Sequence, residues 1–368
     1  MAFQVVSPVL DRQLSSPLFR LPQELRDQVY SYLFARTRIS HGERQDPSGD
    51  RRLRIRPSPH GLAILRACRR ASYEIGDRWL GEVTFNFEDQ VTMLDALTAL
   101  PAEKLSKMRH LRVRGRKLEL GFRGGSNFRA CYSLASTLKL LPGLRLDTLT
   151  VLGDADYRHG YETLDELVRE GSGWRELRFV SPSCALLGYA NTMPLFTDDT
   201  QERRFWRKPQ PADWQGALDD RDGETSGPSV TVYRSTQRAC CGSVLDERTR
   251  EIYEQEVPQD RLSMEDFGIW GDKELLADGG HEKEMMIVVR RGAGIDYAVA
   301  EGSPFMRGDI RKDMDGRAWR AIRHYRVDAL NGGSQVEERI ETDCYRSVDD
   351  YVWPPAGTTS NSNIYAGI

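Results

Sequence analysis

The sequence predicts an α+β protein: N-terminal helices leading into an αβ layered domain with mostly parallel strands, followed by a β-rich C-terminal appendage. Three observations predict it. The segment 21–34 is amphipathic and has a sharply marked start. Between residues 90 and 180, three helix-like segments are each followed by a strand rich in leucine and valine. Beyond residue 229 the strand-like runs are short and interrupted by Gly279-Gly280 and Gly332-Gly333. The helical and strand periods differ enough to separate these regions.

In the first segment Pro22 suits a helix start, where its missing N–H costs nothing, and Glu24 and Asp27 lie near the positive end of the helix dipole. Leu21, Leu25, Val29 and Leu33 recur every four residues, with Tyr32 alongside. That spacing sets an apolar face opposite Arg26, Asp27 and Gln28, which are expected to point to water. Residues 38–61 carry Gly42, Pro47, Gly49, Pro57, Pro59 and Gly61 among arginines 44, 51, 52, 54 and 56, and read as a loop with one short strand around Leu53-Arg54-Ile55. Leu62 to Gly76 reads as a second helix, with Cys68 as a small buried hydrophobe, and Val83, Phe85 and Phe87 alternate as a half-buried strand.

The three helix–strand pairs follow: Gln90–Leu100 with Met108–Val113, Phe128–Leu141 with Leu146–Val151, and Tyr161–Glu170 with Trp174–Val180. A helix in each crossover favours neighbouring parallel strands. Leu111, Leu149 and Leu177 are 38 and 28 residues apart, too irregular for a strict solenoid. Degenerate leucine-rich-like layers and a plain layered αβ domain both fit. Residues 191–228 are polar and read as a linker or insertion in which Phe205, Trp206 and Trp214 dock on a groove or pack within the parent fold. Beyond them, Val230–Tyr233, Met285–Val289 and Ile295–Val299 read as strands, Asp246–Glu254 and Asp315–Ile322 as short helices. The division expected is 17–90, a helical unit; 91–190, the αβ domain; 191–228, the linker or insertion; 229–352, the β-rich region; and 353–368, a disordered tail.

Charge and composition narrow the partners. The chain has 368 residues, with 52 Lys and Arg against 55 Asp and Glu, so whole-chain electrostatics nominates neither nucleic acid nor membrane. Residues 1–116 hold 20 basic against 13 acidic side chains, and the remainder 32 against 42. The six cysteines, 68, 131, 184, 240, 241 and 344, have neither metal nor disulfide-scaffold spacing, and no apolar run approaches 18 residues. A cytoplasmic or nuclear protein is expected.

No catalytic pattern stands out. The histidines 41, 60, 110, 159, 281 and 324 have no partner at helical spacing, and His281-Glu282-Lys283-Glu284 reads as a surface charge run, so no metal is expected. Asp154, Asp156 and His159 follow a strand end, where αβ proteins place ligands, but Gly153-Asp154-Ala155-Asp156 also has ordinary turn chemistry. The loop 121–127, near Arg116, Lys117 and Arg123, lacks the Lys-Ser/Thr of a phosphate loop and reads as helix capping by Ser126 or Asn127. Gly292-Ala293-Gly294 lacks a third glycine and reads as a hairpin turn. No cofactor is implied. Cys240-Cys241 has no neighbouring base.

The run Leu21-Pro22-Gln23-Glu24-Leu25-Arg26, completed by Val29-Tyr30, resembles the opening of an F-box, and more closely the F-box-like proteins of filamentous fungi. A second block in the expected order extends the likeness: Leu65, Cys68-Arg69, Tyr73-Glu74, Trp79-Leu80 and Thr84-Phe85-Asn86-Phe87. The resemblance covers about residues 17 to 90. It implies that Leu21, Pro22, Leu25, Val29 and Leu33 dock a Skp-type adaptor of a cullin ubiquitin ligase while the αβ region presents a surface to an unknown protein substrate. One departure is the loop at 38–61, longer and more basic than ordinary F-box connections. Two other readings stay open: a non-ligase interaction scaffold that buries the same apolar face against the strand at 83–87, and an enzyme using the loops 121–127 and 153–159. Exposure of Leu25 and Val29 discriminates them.

Overall fold

The computed structural model describes residues 15–45, 52–56, 62–121, 129–153, 157–188, 191–194, 203–206, 209–254, 261–262, 277–312, 318–326 and 340–342. A single turn, α1 (Pro17–Arg20), precedes helix α2 (Gln23–Ala35) and the strands β1 (Arg38–Gln45) and β2 (Arg52–Arg56). Helices α3 (Ala63–Ala67) and α4 (Arg69–Ile75) lead to β3 (Thr84–Phe87), α5 (Gln90–Leu97), α6 (Ala102–Leu105) and β4 (His110–Arg114). Next come β5 (Leu118–Gly121), β6 (Arg129–Tyr132), α7 (Leu134–Leu138), β7 (Leu146–Leu152), α8 (Tyr157–Glu170) and β8 (Trp174–Ser181). The last part contains β9 (Asn191–Pro194), β10 (Arg203–Trp206), α9 (Ala212–Asp222), β11 (Ser229–Ser235), β12 (Arg250–Ile252), β13 (Arg261–Leu262), β14 (Met285–Arg290), α10 (Trp319–Arg326) and β15 (Ile340–Thr342).

Ten strands form one mixed sheet in the order β12-β11-β14-β8-β7-β4-β3-β1-β2-β15. From β1 through β3, β4 and β7 to β8 every pairing is parallel, and β14 and β11 then continue the sheet antiparallel. The fold is therefore α+β around a large, mostly parallel sheet, as the sequence predicts. Strands from 17–90, from 91–190 and from 229–352 all lie in this sheet, and a single apolar cluster extends from Phe19 to Ile322.

The register explains the core. Ile39, Phe85, Leu111, Leu149, Leu177 and Val289 stand opposite one another across six strands, and all are buried. The leucines that look irregular in sequence are in register in space. Because parallel crossovers are right-handed and the strand order advances in one direction, α5, α7 and α8 all fall on the face these leucines share. Leu164, Leu167 and Val168 of α8 are fully buried, giving that helix one apolar side. Asp89 caps α5 by accepting from the Thr92 N–H at 2.7 Å, and Ser133 caps α7. Two strands stop at glycine for a steric reason. The Gly115 and Gly153 amides donate to Leu152 and Val180 carbonyls at 2.7 Å, and a Cβ on Gly153 would sit 2.8 Å from the Phe179 ring.

Alternate positions on the same strands face the other way and are polar: Ser40, Asn86, Arg112, Thr150 and Arg178 form one row, His110, Thr148, Glu176 and Arg290 the next. Toward β1 the polar side chains are buried in a network, with Arg112 Nε donating to Asn86 at 2.9 Å and Glu88 paired to Arg44 and Arg114. Burial raises the Glu88 carboxyl, and those two guanidinium groups outweigh it and hold it below the ordinary carboxylate range.

Several expected elements are corrected. Residues 38–45 are a strand, because Arg38 to His41 pair with Thr84 to Phe87 while Gly42 to Gln45 pair back onto β2. The helix expected over 62–76 is two, divided at Cys68, whose extended backbone lets its sulfur accept the Ala71 N–H at 3.3 Å. Cys68 is thus a half-buried cap. The segment 128–141 opens as a strand, not a helix. Within 191–228, expected as a linker or insertion, Ala212–Asp222 form α9: its Trp214 and Leu218 are fully buried, so Trp214 packs within the parent fold. Asp246–Glu254 gives a turn and β12, not a helix, Ile295–Val299 is not a strand, and the helix expected at 315–322 occupies Trp319–Arg326. The tail 353–368 lies outside the described residues.

Candidate functional site

Helix α2 has two unlike sides. Arg26, Tyr30 and Phe34, four residues apart, are buried, whereas Leu25, Val29 and Leu33 remain 45%, 44% and 42% exposed. Leu21, Pro22 and Tyr32 are exposed as well, and so is Tyr73 on α4. The structure therefore keeps Leu21, Pro22, Leu25, Val29 and Leu33 together on one outward stripe. It corrects Arg26, which was expected in water.

A buried ionic cluster fixes the helix in this orientation. Arg26 donates to both oxygens of Glu74, from Nε and Nη2 at 2.9 Å each, and to the Leu21 carbonyl and Gln23. Arg70 adds a third guanidinium bond to Glu74 at 2.9 Å and stacks over Phe19 at 4.5 Å, while the Tyr30 hydroxyl donates to Glu74 at 3.3 Å. Burial raises the Glu74 carboxyl, but the bonds and charges of Arg26 and Arg70 prevail and hold it below the ordinary range. Burial and the adjoining carboxylate push the Tyr30 phenol up to about 12. At the far end, Ser31 donates to Glu82 and the Thr84 amide to the Thr37 carbonyl, tying the helix to the start of β3. Pro22 sits one residue before the helix, where its carbonyl accepts the Arg26 amide.

The Arg26–Glu74 pair joins the two blocks on which the F-box resemblance rests, and reading the helix by hydrophobic spacing missed it. The one signal available was an arginine in the first block and a glutamate of opposite charge in the second.

Among the described residues, the other candidates do not assemble into a centre. Lys117 is ion-paired to Glu162 at 2.7 Å, and the Arg116 carbonyl accepts from Gln90. His159 is half-buried on α8, while residues 122–127, Asp154 and Asp156 lie outside the described residues. Gly292 serves packing, since a Cβ there would meet Ser226, and its amide donates to the buried Asp222. The run at 281–284 is not all surface, because Glu284 is buried and accepts from the amides of Gly242 and Val244. Cys240 and Cys241 are exposed. Among the described residues, no three His, Cys, Asp or Glu side chains gather as around a metal ion, and no helix is long and apolar enough to cross a membrane. Compared with protein-family models and with curated protein sequences, the chain matches none.

Proposed function

We propose that the chain is a protein-interaction adaptor, the substrate-recognition subunit of a cullin-type ubiquitin ligase. In this reading the outer face of α2 docks a Skp-type adaptor, and the sheet presents a surface to a protein substrate. One observation carries it: Leu25, Val29 and Leu33 stay exposed on a helix whose attachment to the core runs through Arg26, Tyr30 and Phe34, and Leu21 is exposed just before it. A row of apolar side chains at helical spacing is the arrangement by which an amphipathic helix fills a groove. Leu25, Val29 and Leu33 each keep roughly two-fifths of their surface, and covering it contributes about 1 kcal/mol apiece at ~25 cal/mol per Å². The scaffold reading needs these side chains inside the protein, and their exposure favours the adaptor instead. A ligase subunit of this kind works in the cytoplasm or nucleus.

Co-purification of the full chain with a Skp-type adaptor tests the reading. Capture at one-to-one stoichiometry is expected from the wild type, and its loss from a Leu25→Asp, Val29→Asp variant that keeps its circular dichroism spectrum. A folded wild type that captures no adaptor would contradict it.

A further inference from the structure

The polar side of the sheet contains a second recognition element. On β8 and β14, Arg178 and Arg290 flank Glu176, and each gives it only its Nε, at 2.7 and 2.8 Å to the two carboxylate oxygens. Both arginine side chains are exposed, Arg178 at 43% and Arg290 at 58%. Among the described residues their Nη groups have no acceptor. Two Nη edges thus face solvent from adjacent strands, held in place by one carboxylate that takes none of their terminal N–H bonds. Burial raises Glu176, and its hydrogen bonds to Arg290 and Arg178 more than reverse this, so the fork stays charged and assembled at neutral pH.

Register places two further donors beside it. Thr148 and Thr150 on β7 stand opposite Glu176 and Arg178, and their hydroxyls make no hydrogen bond among the described residues. The crossover helices occupy the opposite face. On this one, the described residues after β11 meet the apolar end of the strands, where Val244 packs on Leu152, Val180, Met286 and Val288.

We infer that this face binds an extended acidic segment of a partner protein, with a carboxylate side chain taken by the Nη edges of Arg178 and Arg290. Charge decides the class: two guanidinium groups against one carboxylate leave a single positive charge, which one aspartate or glutamate neutralises, whereas a phosphate dianion would leave an excess negative charge beside Glu176. General attraction is not the cause, because the chain as a whole is negative, and residues beyond 116 hold 42 acidic against 32 basic side chains. As a substrate surface this rests on the adaptor reading; as a binding surface it stands on the sheet alone.

The test is fluorescence anisotropy with the full chain and a labelled decapeptide of alternating Glu and Ser, compared with its Gln-for-Glu and phosphoserine-for-Glu counterparts. The Glu peptide is expected to bind at least about tenfold tighter than the Gln peptide, with Arg178→Ala, Arg290→Ala reduced to the Gln level. Glu176→Gln, which removes the internal competitor, is expected to bind as well as wild type or a few-fold tighter. A fork that serves only to hold the sheet would weaken in that variant. Equal binding of the Glu and Gln peptides overturns the inference. So does retention in the double variant, preference for the phosphopeptide, or an equal loss in an Arg66→Ala, Arg69→Ala control. If the double variant does not fold, the comparison of peptides and the Glu176→Gln result decide. Capture by the Skp-type adaptor is measured on the same wild-type preparation. Absent peptide binding with capture intact overturns this inference alone, and absent capture with peptide binding intact overturns the adaptor reading alone.

Discussion

Replacing Glu74 by Gln changes little in shape and removes the charge that holds α2 in place. The wild-type carboxylate accepts two bonds from Arg26 and one from Arg70, all at 2.9 Å, and the Tyr30 hydroxyl at 3.3 Å. Glutamine retains one acceptor oxygen and turns an NH₂ group toward the remaining donors. The side chains of Arg26 and Glu74 are only 7% and 11% exposed, so water cannot restore what is lost. Breaking such a pair from one side costs about 3–5 kcal/mol, and because Arg70 is partly solvated we expect about 3 kcal/mol, roughly a hundredfold in the unfolding equilibrium. Urea denaturation at pH 7 measures it, and a cycle with Arg26→Met separates the pair from the rest, since the double variant should lose less than the two single changes summed. The pH dependence has a definite sign. The folded pKa of Glu74 is depressed, so the wild-type advantage over the Gln variant is complete above the ordinary value of 4.5 and declines as pH falls through the folded value. A loss under about 1 kcal/mol, or strict additivity with Arg26→Met, would refute the clamp.

Two other changes probe the frame that supports the sites. Gly153→Ala puts a methyl 2.8 Å from the buried Phe179 ring and 3.1 Å from the Val180 carbonyl, so thermal denaturation should show a loss of about 1–3 kcal/mol. Adding Phe179→Leu should recover part of that loss; no recovery would mean that the ring is not the obstacle. Asp222→Asn breaks a fully buried pair in which Asp222 accepts from Arg291 at 2.6 and 2.7 Å and from the Gly292 amide at 3.1 Å. A loss of about 3–5 kcal/mol in urea is expected, and a change under about 1 kcal/mol would show that the pair is not needed to seat α9 against β14.

What the sequence discloses and what it conceals divide along local and distant causes. The parallel strands around Leu111, Leu149 and Leu177 were legible because alternation within each strand and a helix in each crossover are local patterns, and their common register follows from them. The burial of Arg26 depends on a glutamate 48 residues away, which a helical wheel does not contain. The same holds for residues 38–45: their glycine and charges look like a loop, and it is pairing with β3, more than 40 residues on, that makes them a strand. The volume of Cys68 suggests a core side chain, whereas its position between two helices lets the sulfur cap the second. In 191–228 the polar composition masked a four-residue Trp214–Leu218 spacing that was the sign of α9. For the outward stripe of α2, apolar spacing marks Leu25, Val29 and Leu33 as one row, and which side of the helix faces the core is set by the Glu74 clamp.

The most direct test of the adaptor reading puts a photo-crosslinking residue at one position at a time on the intact chain, mixes it with the purified Skp-type adaptor and illuminates. Positions 25 and 29, on the outward stripe, are expected to give the cross-linked pair, and position 231, across the sheet on β11, to give none. No adduct from either stripe position, or adducts of equal yield from 231, would contradict the assignment of α2 as the docking helix.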